Sequence, residues 1–206
     1  TSSQQANDLD PEKARTFEIG TKWDLFNNRA NLTAAIFRTE KQNTRIAIDA
    51  NTSTNAGESK VDGFEVGFNG KVTDKWEVSA GYSYLDSELT KAAYNAVAQE
   101  GKPLPFVAKN SATLWSTYRV LPKLTLGAGA EYRDKVFTNT NTGTTMLEDK
   151  YLPTYTIYNA MAKYDVNKNV NLQLNINNIS DKRYFTSAHP AHYAFEGVGR
   201  NAVLAI

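Results

Sequence analysis

Leu124-Thr125-Leu126-Gly127-Ala128-Gly129-Ala130-Glu131-Tyr132-Arg133 is the most regular stretch of the chain. Apolar residues hold every second position, and Thr, Gly, Glu and Arg fill the gaps. A period of two sends one set to each face of an extended strand. Val170, Leu172, Leu174 and Ile176 repeat the pattern against Asn171, Gln173, Asn175 and Asn177. So do Trp76–Tyr84, Phe17–Leu25 and Phe64–Phe68, while Ala30–Phe37 and Thr154–Val166 alternate less cleanly. Apolar residues do not recur at helical spacing. The alanine-rich Lys91–Gln99 is the exception and predicts a short helix within a loop. The reading is all-β.

Composition narrows the class. The chain has 206 residues, 41% hydrophobic and 22% charged, and a mean hydropathy of -0.51. No long apolar run is present, which excludes a transmembrane helix. A membrane barrel survives, because alternating strands average their hydropathy away. With 23 basic and 22 acidic residues the net charge is +1, too little to draw nucleic acid. The absence of cysteine removes disulfides, thiolate metal sites and a cysteine nucleophile. The opening Thr1-Ser2-Ser3-Gln4 is neither a start methionine nor a signal segment, and so is expected of a processed chain or an excised piece.

Turn spacing gives the next level. Polar turns fall at Asn27-Asn28, Thr73-Asp74, Leu121-Pro122-Lys123 and Asn167-Lys168-Asn169, at intervals of about 46–48 residues. Between them lie long loops, expected near Gln42–Ser59, Asp86–Val107, Lys135–Pro153 and Ser180–Gly197. Pro11, Pro103, Pro105, Pro122, Pro153 and Pro190 all avoid strand interiors, where a missing amide proton would break the ladder. Short turns alternating with long loops match an outer-membrane barrel, long loops outside. A propeller blade has a similar repeat but needs four short strands where each unit here supplies two long ones.

The residue types on each face point the same way. A soluble β-sandwich would carry Lys and Glu on its outer face. Here the polar face is Gly, Ser, Thr, Asn and Gln, suited to a wet lumen. The apolar face is rich in alanine with aromatics near strand ends: Trp23 and Trp76 by the short turns, and Tyr84, Tyr118 and Tyr132 capping others. Such rings suit the two membrane interfaces. Four hairpin turns define eight strands, and Asn201–Ile206 supplies a ninth. Nine is odd, whereas single-chain bacterial barrels close on even numbers. An open edge in hydrocarbon would leave amides and carbonyls unsatisfied. The expected architecture is therefore an antiparallel up-and-down transmembrane β-barrel wall belonging to a larger, plugged barrel of about 22 strands and roughly 500 residues.

Four segments resemble the C-terminal barrel of TonB-dependent siderophore receptors, with the catecholate type the nearest match. They are Pro11–Lys22 (PE…T-x-E-x-G-x-K), Lys60–Glu65 (V-x-G-x-E), Asn178–Tyr184 (N-L-x-D-K-x-Y, with Ile179 at the leucine position) and Gly197–Arg200 (G-x-x-R). They occur in the family's order between Pro11 and Arg200. The resemblance implies TonB-energised uptake of a ferric siderophore through the bacterial outer membrane, with residues 1–206 the C-terminal part of the barrel. The family's N-terminal plug, which engages TonB, is absent from this sequence. Family members usually end in an aromatic residue, so a few residues are expected beyond Ile206. The motifs themselves read as architecture: Glu18 and Glu65 should face the lumen, Asn178–Asp181 should turn the chain, and Tyr184 should anchor in an aromatic girdle.

No residue set reads as catalytic. Gly127-Ala128-Gly129 lies inside a strand with no following helix, so it is no phosphate loop. Asn177–Asp181 lacks the acidic spacing of a calcium loop. His189 and His192 lack a third ligand at metal-site spacing, so no metal site is expected. No cofactor is expected, and the ferric siderophore is cargo. A bulky anionic complex favours aromatic faces and cationic donors. That singles out Arg133 and Lys135 at the outer end of a strand and the loop residues Phe106, Phe137, Tyr151, His192 and Tyr193. Individually, each is more often a loop-packing residue. Two other readings remain open at this point: a self-contained small barrel acting as porin or adhesin, and a soluble β-sandwich binding module.

Overall fold

The computed structural model describes residues 11–47, 53–92, 97–139, 150–189 and 193–206. The first six strands are β1 (Lys13–Leu25), β2 (Ala30–Ala47), β3 (Ser53–Lys71), β4 (Trp76–Lys91), β5 (Asn110–Leu121) and β6 (Leu124–Arg133). Next come β7 (Val136–Asn139), β8 (Lys150–Leu152), β9 (Tyr155–Asn167) and β10 (Val170–Asn177). Last are β11 (Phe185–Ala188), β12 (Ala194–Glu196) and β13 (Asn201–Ala205). Nine of them form one antiparallel sheet in the order β1-β2-β3-β4-β5-β6-β9-β10-β13, and β7-β8 and β11-β12 are separate two-stranded hairpins. With one extended sheet among the described residues, nothing stacks on it as a sandwich would require. Nor do β1 and β13 pair with each other, so the sheet is an open wall rather than a closed small barrel.

All four short turns stand where the sequence placed them. Between β1 and β2, Phe26, Asn27 and Asn28 have φ of 55°, 57° and 62°. Asparagine tolerates this left-handed region and phenylalanine rarely enters it. The Arg29 amide closes the turn on the Leu25 carbonyl at 3.1 Å. Arg29 also ties this turn to the next, donating from Nη1 to Asp74 at 2.6 Å. Thr73 Oγ1 accepts from the Trp76 amide at 3.1 Å, and Asn167 Oδ1 accepts from Asn169 and Val170 at 2.9 and 3.1 Å. Gly70 has a φ of +145°, and a Cβ there would run into Ala30 Cα and the Arg29 carbonyl. Only glycine fits.

Register assigns the faces, because directly paired residues point the same way. One row joins Ile19, Ile36, Phe64 and Tyr84; another joins Leu25, Ala30, Gly70, Val78, Ser116, Ala128 and Ala160. The irregular strands thereby resolve: Leu32, Ala34 and Ile36 share this apolar side, as do Tyr158, Ala160, Ala162 and Tyr164. Ile19 is 75% and Ile36 59% exposed, which in water would be a large unprotected apolar face. From Trp76 to Tyr84 the band rises about 20 Å for a tilted strand, close to the hydrocarbon band a barrel presents to lipid. The opposite side carries Glu18, Lys22, Thr33, Glu65, Ser79, Thr113, Glu131, Asn159 and Gln173, with Glu18 and Glu65 on the polar face as expected. There Trp115 packs over Gly129, where a Cβ would strike its ring and the Leu114 carbonyl.

Three expectations differ from what is observed. The span 42–59 is mostly strand, because β2 reaches Ala47 and β3 begins at Ser53. The outer parts of these strands lose the apolar alternation and so read as loop. Lys91–Gln99 holds only a 3₁₀ turn at Val97–Gln99 among its described residues, with 93–96 outside them. Each of the last two long loops contains one of the short hairpins. The tightest packing sits there rather than in the sheet: Ala108, Val136 and Leu152 form a buried cluster against Phe185 and Ala188.

Candidate functional site

The outer end of the wall is built on β6 and β9. Arg133, on the polar side of β6, donates to the Thr186 carbonyl of β11 at 3.1 Å. Tyr155, beside it on β9, is buried and donates its hydroxyl to Glu131 at 2.9 Å. The Tyr184 ring packs on Tyr155 with centroids 4.7 Å apart. Together these contacts lay the β11–β12 hairpin against the polar, lumenal side of the wall. Tyr184 therefore does not sit in the lipid girdle; it is this loop's ring contact with the wall, and Gly197 keeps the space its ring occupies.

Two aromatic groups flank the buried cluster. Val136 and Leu152 turn toward Phe185 and Ala188, so strand alternation sends Phe137 and Tyr151 to the other side of the β7–β8 hairpin. Those two rings meet edge to face at 6.4 Å, and Lys135 Nζ stands 5.3 Å from the Phe137 centroid and 5.7 Å from that of Tyr151. Phe106 joins them through its backbone, donating its amide to the Phe137 carbonyl at 2.7 Å with a φ of 63°. The second group is in the last loop. Tyr193 stacks on His189 at 5.5 Å and meets Phe195 edge-on at 5.2 Å, while Arg183 bridges Glu196 at 2.9 Å and covers Phe185.

Of the candidates read from the sequence, Phe106, Lys135, Phe137 and Tyr151 come together. Arg133 and Tyr193 belong to the lumen side and the last loop, and His192 lies outside the described residues. Sequence reasoning missed Tyr155, His189's stacking, Phe195 and Arg183. The density of aromatic and basic residues from Arg183 to Glu196 was an available signal. The Tyr155–Tyr184 contact had none, since it joins residues far apart in the chain.

Below this cap, Asn110, Asp134 and two tyrosines form the upper border of the apolar face. Tyr82 donates to Asn110 Oδ1 at 2.6 Å, Asn110 Nδ2 to Asp134 Oδ2 at 2.7 Å, and Tyr132 to Asp134 Oδ1 at 3.0 Å. The Asn110 amide, helped by Tyr132 and Thr154, holds the Asp134 carboxyl below the usual carboxylate range against the opposing effect of burial. At the lower border Trp76 donates its indole N–H to Ser116 at 2.8 Å. An exposed apolar band, tyrosine and tryptophan borders with satisfied polar tips, and a polar reverse side define the wall of a transmembrane β-barrel.

Comparison with known proteins specifies that class. Residues 1–179 match the family model described as TonB dependent receptor-like, beta-barrel, and the chain belongs to this family of outer-membrane transport receptors. It is 59% identical over 206 residues to the probable TonB-dependent siderophore receptor PiuA of Acinetobacter baumannii, covering 96% of this chain and 27% of that one. It is 33% identical over 196 residues to the catecholate siderophore receptor Fiu of Escherichia coli K12, covering 94% and 25%. The crystal structure of PiuA superposes with a TM-score of 0.88 over 95% of this chain and 28% of that one. The closed form of Fiu does so at 0.83, with 32% identity, 96% of this chain and 27% of that one. The chain thus spans about a quarter of the length of these relatives.

Proposed function

We propose that the protein to which this chain belongs imports a ferric siderophore across the outer membrane, energised by TonB. The observation that carries the reading is the 59% identity to a siderophore receptor along 96% of the chain, joined to a wall whose lumen side is predominantly polar. In this reading the remaining barrel strands, bringing the total to about 22, pair with the edges of β1 and β13. A plug domain encoded upstream fills the lumen and contacts TonB. The role is transport, not catalysis.

Recognition of the ferric complex is assigned to the outer end. Arg133 supplies cationic charge from the lumen side, and Tyr193 in the last loop supplies an aromatic face. Lys135, Phe137, Tyr151 and Phe106 form the rim over which the complex is first held, and His192, next to Tyr193 in the chain, is proposed as a further contact. Cationic donors and ring faces suit an anionic, aromatic-bearing iron chelate.

The test is uptake of radiolabelled ferric siderophores by a receptor-deficient strain expressing the intact gene. Transport of at least one siderophore, abolished when TonB is deleted, is the expected result. Arg133→Gln and Tyr193→Ala should each lower uptake about tenfold at limiting ligand, as loss of an anchoring contact does. Uptake that is indifferent to TonB, or transport of haem alone, would overturn the reading.

A further inference from the structure

We propose that the short-turn rim of the wall docks the phosphate headgroups of anionic phospholipids in the inner leaflet, through Lys75, Lys123 and Lys168. Short turns form the periplasmic end of such a barrel. Each of the last three turns carries one of these lysines, and all three are exposed. Lys75 precedes Trp76, whose lipid-side row continues through Tyr118 and Leu126. Lys123 stands between Leu121 and Leu124, which pair with each other and continue the next row through Tyr164 and Leu172. Leu121 is 60% exposed. Lys168 lies two residues before Val170, which is itself exposed and two residues before Leu172 on the same strand. Apolar side chains thus reach the tips of these turns, and the ammonium groups beside them stand at headgroup level rather than in bulk water.

Charge on this rim has one sign. Asp74 is taken by Arg29 at 2.6 Å. Asp24 and Glu77 lie on the lumen side, in rows with Ser79 and Gly127, and so does Asp165, opposite Asn171 and 3.7 Å from Lys163. Among the described residues no ion pair engages Lys75, Lys123 or Lys168. Lys123 donates one of its three N–H groups to the Val166 carbonyl at 3.1 Å, which leaves two for a phosphate. The outer end is different: Arg38 pairs with Asp62, Lys60 with Glu88, Lys109 with Asp86 and Arg183 with Glu196. A net charge of +1 therefore conceals a cationic inner rim.

The choice of occupant follows from that sign. Neighbouring hairpins are two strand spacings apart, about 10 Å, so the three turns spread their lysines along the membrane surface. Cations without accompanying carboxylates suit plain anionic headgroups. A zwitterionic headgroup brings its own ammonium and gains little from them. The inference rests on the outer-membrane location and not on which siderophore is carried.

The experiment uses the intact receptor, delipidated in detergent and titrated separately with phosphatidylglycerol and phosphatidylethanolamine, with bound lipid counted by native mass spectrometry. Wild type should prefer phosphatidylglycerol. Each lysine changed to glutamine should weaken phosphatidylglycerol binding about fivefold, so Lys75→Gln, Lys123→Gln and Lys168→Gln together should remove most of the preference. Lys60→Gln at the outer end should leave it unchanged. Equal binding of the two lipids by wild type, or unchanged phosphatidylglycerol binding in the triple variant, overturns the proposal and leaves the lysines to an acidic protein. Heat-modifiable gel mobility reports whether the triple variant folds. If it does not, Lys75→Gln with Lys168→Gln, neither bonded through its ammonium among the described residues, takes its place with the same expectation per charge and the same refuting result.

Discussion

The Asn178 side chain makes three hydrogen bonds at the outer end. It is 2% exposed and has a φ of 50°. Its Nδ2 donates to the Lys182 and Val198 carbonyls, its Oδ1 accepts from the Lys182 amide, and its own amide reaches Asn159 Oδ1. Asp181 completes the clasp by accepting from the Arg200 amide at 2.8 Å, so the N-x-x-D-K and G-x-x-R segments hold each other. Asn178→Ala strips the three side-chain bonds and strains the backbone, and should cost about 2 kcal/mol, read as a lower midpoint for heat-induced unfolding of the intact receptor. Asn178→Gly relieves only the strain and should recover a minor part. Asp134 gives a pH prediction. Its folded pKa is depressed, so its stabilisation is full above the unfolded value near 3.9 and is lost as pH falls through the lower folded one. Replacing it with Asn should flatten that acid limb while destabilising the protein at pH 7; an unaltered pH profile would refute the assignment. At this scale the sequence showed that Asn178–Asp181 turns, because Asn and Asp tolerate left-handed backbone. It could not show that Phe26 does too, since the turn imposes that conformation against the residue's preference.

Element by element, alternation was legible wherever a strand is long enough to repeat it. The ten residues of β6 carry five apolar–polar steps. The three or four of β7, β8, β11 and β12 carry too few to separate from loop. The outer parts of β2 and β3 were hidden for another reason: past the lipid both faces are wet, and nothing selects apolar residues on either. The short hairpins depend on one small cluster, so Val136→Ala should loosen them locally. Hydrogen exchange in β7, β8, β11 and β12 should quicken while β4–β6 keep their protection. Uniform change across the sheet would show instead that the cluster supports the whole wall. Candidate ligand residues were only partly readable. Composition flagged the aromatic and basic loop residues, but which side of a hairpin each occupies is fixed by contacts with Phe185 and Ala188 that lie over 30 residues away in the chain.

For the whole molecule, one sheet with two wet ends, an oily belt on one side and a polar reverse side has few stable settings. In water the belt would be exposed, and in lipid it is satisfied. The central claim is thus that Leu126, Ala128 and Ala130 face hydrocarbon while Thr125, Gly127 and Glu131 are on the side of an aqueous lumen. This chain contributes no native cysteine, and the measurement uses single cysteines at positions 124–128 and 130–133 of the intact receptor, any cysteine elsewhere in it replaced, spin-labelled in bilayers, with collision rates against oxygen and a water-soluble nickel chelate. The account predicts two oscillations of period two in opposite phase, oxygen high at even positions and nickel high at odd ones. Nickel access at the even positions, or the same access along the whole strand, would contradict it.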